Sequence, residues 1–469
     1  MFLFYTYTLE IMAGKEEVGK NEEKSKYDDY SLKEVPKHSR YGFFNIFLVF
    51  SSVYGAIAVI WGGGALGYGL TFSQAVIAVL SGTLVLAVLG SLIASIGAYS
   101  GLSTYVMWRH PLGRLGGKIA GFLLISITTG IGWYAVETWL FGIVISEIFP
   151  NNPFFSVGVA SIWGGILMII MTYIGYRMLS FMSYFTIPFH IWLIGIGIAI
   201  VLSLKGGFTA VVSATPTHYM SLLDGISAII GLYSAGTIIS SDISRFSKSA
   251  KDAASAWISH IIFLYPFLIL GGVAIVLVTG SYLITNAMLD LGMGVGVLLI
   301  IIFGQFIINT DNLYSGSLSL VNLYPMRREI ASIINGIIGT AIAAFIGFIA
   351  GSSITPFEDF ISLLGDFLPA MGGIVIADFF IVRKYFNKMN DPYKRYQFTP
   401  GNVYYNVNIA GVLALALGSI VGFFINLGIP AVNSLITGLL TYPLLYYLIK
   451  SLGKNPEILP YNYEGGDLK

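Results

Sequence analysis

Ser51-Ser52-Val53-Tyr54-Gly55-Ala56 and Gly231-Leu232-Tyr233-Ser234-Ala235-Gly236 are two runs in which small and hydroxyl residues surround a glycine and a tyrosine inside long apolar segments. Neither makes a good helix interior, because glycine costs backbone entropy and serine competes for backbone hydrogen bonds. A membrane-spanning segment tolerates such a weak point where the freed backbone groups face a cavity or another part of the protein. One weak point in a first span and another in a sixth is the pattern of two inverted repeats of five helices. The unwound midpoints then offer backbone groups to a central substrate. The same small residues also suit plain helix packing, and these two runs alone leave both readings open.

The rest of the chain supplies the membrane context. Of its 469 residues, 56% are hydrophobic and only 10% charged, with a mean hydropathy of +0.79. That is too little polar surface for a soluble protein, so the fold class is an all-α polytopic membrane protein. From Phe43 onward, apolar segments of about 20 residues or more recur. Twelve are expected, at roughly 43–69, 72–100, 117–148, 154–176, 181–204, 220–241, 254–280, 291–318, 329–350, 357–382, 404–427 and 430–449. Of the 25 Lys and Arg, all but Lys205 then fall in the two tails and in the loops on the same side. By the positive-inside rule that side is cytoplasmic, with both termini there. The many glycines within the spans are read as packing positions.

The tails are read as unstructured. MFLFYTYTLEI (1–11) lacks a basic leader region and is too short to span, so it reads as a misassigned start before Met12 or a loose tail. Residues 12–40, including KEEVGKNEEKSKYDD, read as a solvated cytoplasmic tail, and 453–469 as a second one.

Several function classes are excluded. The chain has no cysteine, hence no disulfide framework, thiol nucleophile or thiolate metal site. Its five histidines show no HExxH spacing, and no GxxxxGK[ST] loop is present, so neither a zinc centre nor P-loop ATP hydrolysis is expected. A channel would show pore-lining polar rings or a carbonyl filter motif, and a sensor would carry a soluble signalling domain. None of these is found, so the protein is expected to be neither enzyme nor channel.

Inside the third span lies IGWYAVETW (131–139), with a carboxylate, Glu137, in otherwise oily surroundings. Intramembrane acids mark substrate or ion paths by default. The eighth span adds Asn309, Thr310, Asp311 and Asn312 in a row, which is costly unless part of the run faces a cavity. Four consecutive helical residues cover all faces, so at most two can reach one ligand.

With those segments in view, the chain resembles the nucleobase-cation symporter family 1, and within it is most similar to the cytosine permeases. The resemblance rests on VPKHSRYG (35–42), WGGGALGYGLT (61–71), GAYSGLSTYVMWRHPLGRLGG (97–117), GWYAVE (132–137) and SDISRFSKSAKDA (241–253). It continues through NTDNLYSGSLSLVNL (309–323), NGIIGT (335–340) and PAMGGIVIADFFIVRKYF (369–386), in one order over about residues 35 to 450. It implies a LeuT-like fold: a first repeat over 41–204, a second over 205–385, and two extra helices within 386–452. It also implies secondary active transport of a small planar heterocycle, cytosine first, across the plasma membrane. A purine, uracil, hydantoin or allantoin is the alternative cargo. No cofactor and no nucleic acid are expected; the partners are the base, a coupling cation (H+ or Na+) and the bilayer, around a monomer.

The resemblance also suggests roles. Trp133 matches the family's stacking tryptophan, and stacking on an indole stabilises a bound base by about 1–3 kcal/mol. Tyr233 matches the aromatic that closes the other face of the ring, beside Leu232, with Ala56 and Gly130 as further substrate contacts. The family's cytosine permeases carry a glutamine at the position of Gly130. Glu137, one turn after Trp133, is expected on the same helix face. Its acceptors suit a ligand edge rich in N–H groups, and as a titratable group it is also a candidate proton carrier. Asn309 is the first choice to read the base edge, and Asp311 is the second acid. For the coupling ion, the backbone carbonyls of Ser52 and Gly55 remain as in sodium-coupled members. The two hydroxyl residues that complete the sodium site in those members are here Ile307 and Ile308, which cannot ligate a hard cation. Proton coupling through Glu137 or Asp311 is therefore favoured. Asp242 and Arg245 are expected to pair with each other or with a loop. Pro369 and its glycines, flanked by Asp366 and Asp378, suggest a bend in the tenth span, and His190 reads as a core histidine.

Overall fold

The computed structural model describes residues 30, 32–52, 57–173, 191, 195–200, 202, 206–281, 289, 292, 294, 304–353, 355–397, 404–425 and 427–461. Gly55, Ala56, His190, Lys205, most of the expected fifth span and the start of the eighth lie outside them, as do both ends of the chain. Among the described residues, seven helices are long and apolar enough to cross a membrane, and three shorter apolar helices accompany them.

The first span is described in two pieces, α1 (Phe43–Ser52) and α2 (Ile57–Gly69). Next comes α3 (Phe72–Ser100), whose ends are set locally. At its start Thr71 and Gln74 form a reciprocal capping box, and at its end Gly101 closes the last turn at φ 68°. The helix α4 (Thr104–Leu112) leads into α5 (Arg114–Ile148) and α6 (Val157–Thr172). The second half holds α7 (Leu222–Ile238), α8 (Ala250–Thr279), α9 (Phe306–Leu323), α10 (Arg328–Ile349) and α11 (Thr355–Ala377). Then follow α12 (Ile409–Phe424) and α13 (Pro430–Ser451).

The packing carries the internal repeat. The first span packs on the seventh through α2 and α8, and the sixth on the second through α7 and α3. Exchanging each span for the one five places along turns the first pair into the second. The third span packs on the eighth and the fourth on the ninth, and each of these pairs maps onto itself. Close approach depends on small residues: a Cβ on Gly272 of α8 would meet the Ile60 carbonyl of α2 at 2.5 Å. The fold is the LeuT-like arrangement of two five-helix repeats.

Two local expectations change. The sixth span does not break at Gly231–Gly236: α7 runs on to Ile238, and the turn comes at Ile239–Ser240, before a short helix Ser241–Ser244. The hydroxyls that suggested a break bond back along the helix, Ser234 to the Ile230 carbonyl (2.7 Å) and Thr237 to the Tyr233 carbonyl (2.8 Å), and so leave the backbone ladder intact. Residues 404–408, expected to begin the eleventh span, form strand β1 (Tyr404–Asn408). It pairs antiparallel with β2 (Glu457–Tyr461), within the expected C-terminal tail. Pro369 lies inside α11, which continues past it as helix.

Two acids outside the central site join neighbouring elements. Asp378 accepts from the hydroxyls of Tyr442 (2.6 Å) and Tyr396 (2.7 Å) and from Arg383 Nε (3.2 Å), tying α11 to α13. Asp242 accepts from Thr104 N–H (2.8 Å), the Tyr105 hydroxyl (2.5 Å) and Ser315 Oγ (3.1 Å), joining the sixth span to α4 and α9. Arg245 reaches the carbonyls of Asp242 and Tyr30 and the Tyr314 hydroxyl.

Candidate functional site

A small cavity lies between the first, third, sixth and eighth spans. Helix α5 supplies Thr129, Trp133 and Glu137, a recurrence every four residues that puts all three on the cavity face. The backbone helps to aim them: residues Phe122–Trp133 are wound as a π-helix and return to α geometry at Tyr134. Such wide turns re-phase a helix face and recur at functional sites. From α7 come Leu232 and Tyr233, with Ala235, Gly236 and, just past its end, Ile239. Ala58 and Val59 close the side of the first span, and Ile308, Asp311 and Asn312 that of the eighth.

Two aromatic residues are held by neighbouring rings. Trp133 meets Phe360 edge-on (centroids 5.2 Å, interplanar 81°) and Phe357 likewise at 6.4 Å. Tyr233 stacks on Trp257 at 5.8 Å. These contacts fix ring planes without consuming polar groups.

The polar groups divide into tethered and open ones. Glu137 is 2% exposed, and both its backbone carbonyl (2.9 Å) and its Oε2 (2.8 Å) accept from Gln305 Nε2. Asp311 is 5% exposed, and its Oδ1 is buried with no hydrogen-bond partner among the described residues. The Thr129 hydroxyl is in the same state. Buried polar atoms of this kind are costly unless something else satisfies them, and on a cavity wall a ligand can do so.

Of the expected site residues, the cavity brings together Trp133, Glu137, Leu232, Tyr233 and Asp311. Asn309 is not on its wall. Its Nδ2 points to the Tyr134 carbonyl (3.3 Å) and Thr138 Oγ1 (3.0 Å), while its Oδ1 accepts from Asn312 Nδ2 at 3.2 Å. Asn312 is the asparagine that faces the cavity, and Asn309 braces it. Gly130 sits where the third and eighth spans touch, against Gly316 and Asn335. Ser52 is buried, with its hydroxyl turned back to the Val49 carbonyl (2.8 Å). Gly55 and Ala56 lie outside the described residues. Sequence reasoning missed Thr129, Gln305 and the choice of Asn312. A helical count back from Trp133 and from Asn309 finds the first two, each one turn earlier.

Fold and cavity together define a multi-pass membrane transporter with a central buried site rather than an enzyme. Residues 34–449 match the family described as permeases for cytosine/purines, uracil, thiamine and allantoin, and the chain belongs to that family. It is 26% identical over 421 residues to the cytosine permease of Escherichia coli (strain K12), covering 90% of this chain and 95% of that protein. Among solved structures it is similar to a nucleobase-cation-symport-1 family transporter in a closed conformation with bromovinylhydantoin bound. The TM-score is 0.71 at 19% identity, over 89% of this chain and 95% of that one. A Na+-coupled sialic acid symporter shares the fold at TM-score 0.61 and 14% identity, over 90% of this chain and 93% of that one.

Proposed function

We propose that this permease imports a nucleobase, cytosine first, across the plasma membrane by symport with a cation, the proton favoured over sodium, through alternating access. The observation that carries this reading is the cavity in which Trp133 and Tyr233 offer aromatic faces and Glu137, Asp311 and Asn312 offer polar groups. A planar ring with polar edges suits such walls: stacking supplies affinity, and the acids and the amide read the edge. The similarity to a cytosine permease supports cytosine as the first base to test. A second reading, another planar heterocycle such as a purine, uracil, hydantoin or allantoin, is favoured by Glu137 itself. Its acceptors suit any ring that presents N–H groups.

The proton is preferred because Ile308 places hydrocarbon on the cavity wall beside Asp311, and Ile307 is fully buried. Hard cations need oxygen ligands, whereas a buried carboxyl carries a proton unaided. A cytoplasmic placement of both termini accords with the distribution of Lys and Arg.

The test is uptake of radiolabelled cytosine into proteoliposomes under a proton or a sodium gradient, with unlabelled uracil, adenine, guanine, hydantoin and allantoin as competitors. Saturable cytosine uptake driven by the proton gradient is expected. Uptake driven by sodium alone would overturn the coupling assignment, and transport of another ring without cytosine would overturn the choice of substrate.

A further inference from the structure

We infer that Gln305 is a positioning residue for substrate selection: it tethers one carboxylate oxygen of Glu137 and thereby turns the other toward the amino-bearing edge of the base. The inference rests on the reading of Glu137 as a substrate contact and deepens it.

The geometry has three parts. The Gln305 side chain places Nε2 within 2.9 Å of the Glu137 carbonyl and 2.8 Å of its Oε2. A backbone carbonyl is an acceptor only, so the amide must present its nitrogen at this point, and the two hydrogens of one NH2 group match the two acceptors. Gln305 itself is fully buried at the start of α9, one turn before Asn309, so its amide is held rather than free to wander. Glu137 Oε1 has no hydrogen bond among the described residues, while the residue lines the cavity.

A glutamate side chain has enough rotamer freedom to point either oxygen pair several ways. Fixing both its backbone carbonyl and Oε2 to one donor removes that freedom before a ligand arrives, which lowers the ordering cost of binding. In the ionised carboxylate the remaining oxygen is an acceptor. It favours an amino group at the facing ring position, as in cytosine, and disfavours a carbonyl there, as in uracil, because two acceptors would meet in a buried site. The pairing also spans the third and eighth spans, so Gln305 acts through Glu137 without itself lining the cavity.

The test measures affinities of purified protein for cytosine and uracil in wild type, Gln305→Met, Glu137→Ala and the double variant, alongside thermal stability. Gln305→Met keeps the length and removes the donor. It should lower the cytosine-to-uracil affinity ratio by about 10-fold, as loss of one buried hydrogen-bond constraint predicts. In the Glu137→Ala background the same change should leave the ratio unmoved. A role limited to helix packing through the backbone carbonyl would weaken both ligands equally and persist in that background, which would overturn the inference. If Gln305→Met does not fold, Gln305→Asn, an amide one methylene shorter, carries the same test. A normal ratio in Glu137→Ala would instead sink the reading of Glu137 as a substrate contact. A ratio altered there but unaltered in Gln305→Met would sink the role of Gln305 alone.

Discussion

Gly130 and Gly316 face each other where the third and eighth spans touch: a Cβ on Gly130 would lie 2.7 Å from the Gly316 Cα and 2.8 Å from Asn335 Nδ2. A glutamine at Gly130 would have to push two backbones apart here. Gly130→Gln should therefore lower stability, by about 1–3 kcal/mol for an overpacked core. Thermal unfolding in detergent checks it, and an unchanged midpoint would mean that the two helices separate without cost.

Trp133 owes its orientation to Phe357 and Phe360, which meet it edge-on. Trp133→Ala should weaken substrate binding by about 10- to 100-fold, the equivalent of 1–3 kcal/mol of stacking. Trp133→Phe, which keeps an aromatic face, should recover part of it. Direct binding of labelled ligand to purified protein measures both. Equal affinity in all three proteins would remove the stacking role.

Much of this site was legible in the sequence because membrane burial makes polar residues conspicuous. Glu137 and the run Asn309–Asn312 stand out in any apolar span. What was not legible depends on helix phase. Asn309 and Asn312 differ by less than a full turn, and only the packing of α9 shows which of them faces inward. The break in the sixth span was misplaced for a related reason: composition marks where a helix is weak, but the Ser234 and Thr237 hydroxyls bond within the helix and leave it whole. The β1–β2 ribbon pairs residues about fifty positions apart, beyond any local pattern.

Asp242 binds three groups on two other elements, the Thr104 amide, the Tyr105 hydroxyl and Ser315 Oγ, next to the turn at Ile239–Ser240 that ends the cavity wall. Asp242→Asn exchanges one acceptor oxygen for a donor and disrupts this junction. The chain has no cysteine, so a single Ile239→Cys reports access without background. Labelling from the expected cytoplasmic side should run several-fold faster in the Asp242→Asn background. Equal rates would show that the junction does not hold that side shut.

The C-terminal strand carries its own pH dependence. Burial pushes the Glu457 carboxyl above its ordinary value of 4.5, outweighing the pull of Arg383, whose Nη2 lies 3.5 Å away. A carboxyl whose folded value is raised contributes stability that is complete below the unfolded value and is lost as pH rises through the folded one. Pairing of β2 with β1 should therefore be firmer at about pH 5 than at about pH 8. Hydrogen exchange over Glu457–Tyr461, corrected for the intrinsic rate, should show it, and Glu457→Gln should flatten the difference. The opposite trend would mean that the ion pair with Arg383 dominates.

Two acids line the cavity, and their surroundings differ. Glu137 is already tethered by Gln305, whereas Asp311 has an oxygen buried without a partner among the described residues. If Glu137 carries the proton, Glu137→Gln keeps an acceptor for Gln305 but turns a donor toward the base, so it should weaken cytosine binding and, at saturating substrate, lose uphill uptake under a proton gradient while still exchanging substrate downhill. If Asp311 carries it, that phenotype should belong to Asp311→Asn. Counterflow and gradient-driven uptake in the same vesicles separate the two, because counterflow needs no net proton movement. Retained accumulation in both variants would rule out a carboxyl carrier in this cavity and return the coupling site to the backbone of the first span beside Ser52.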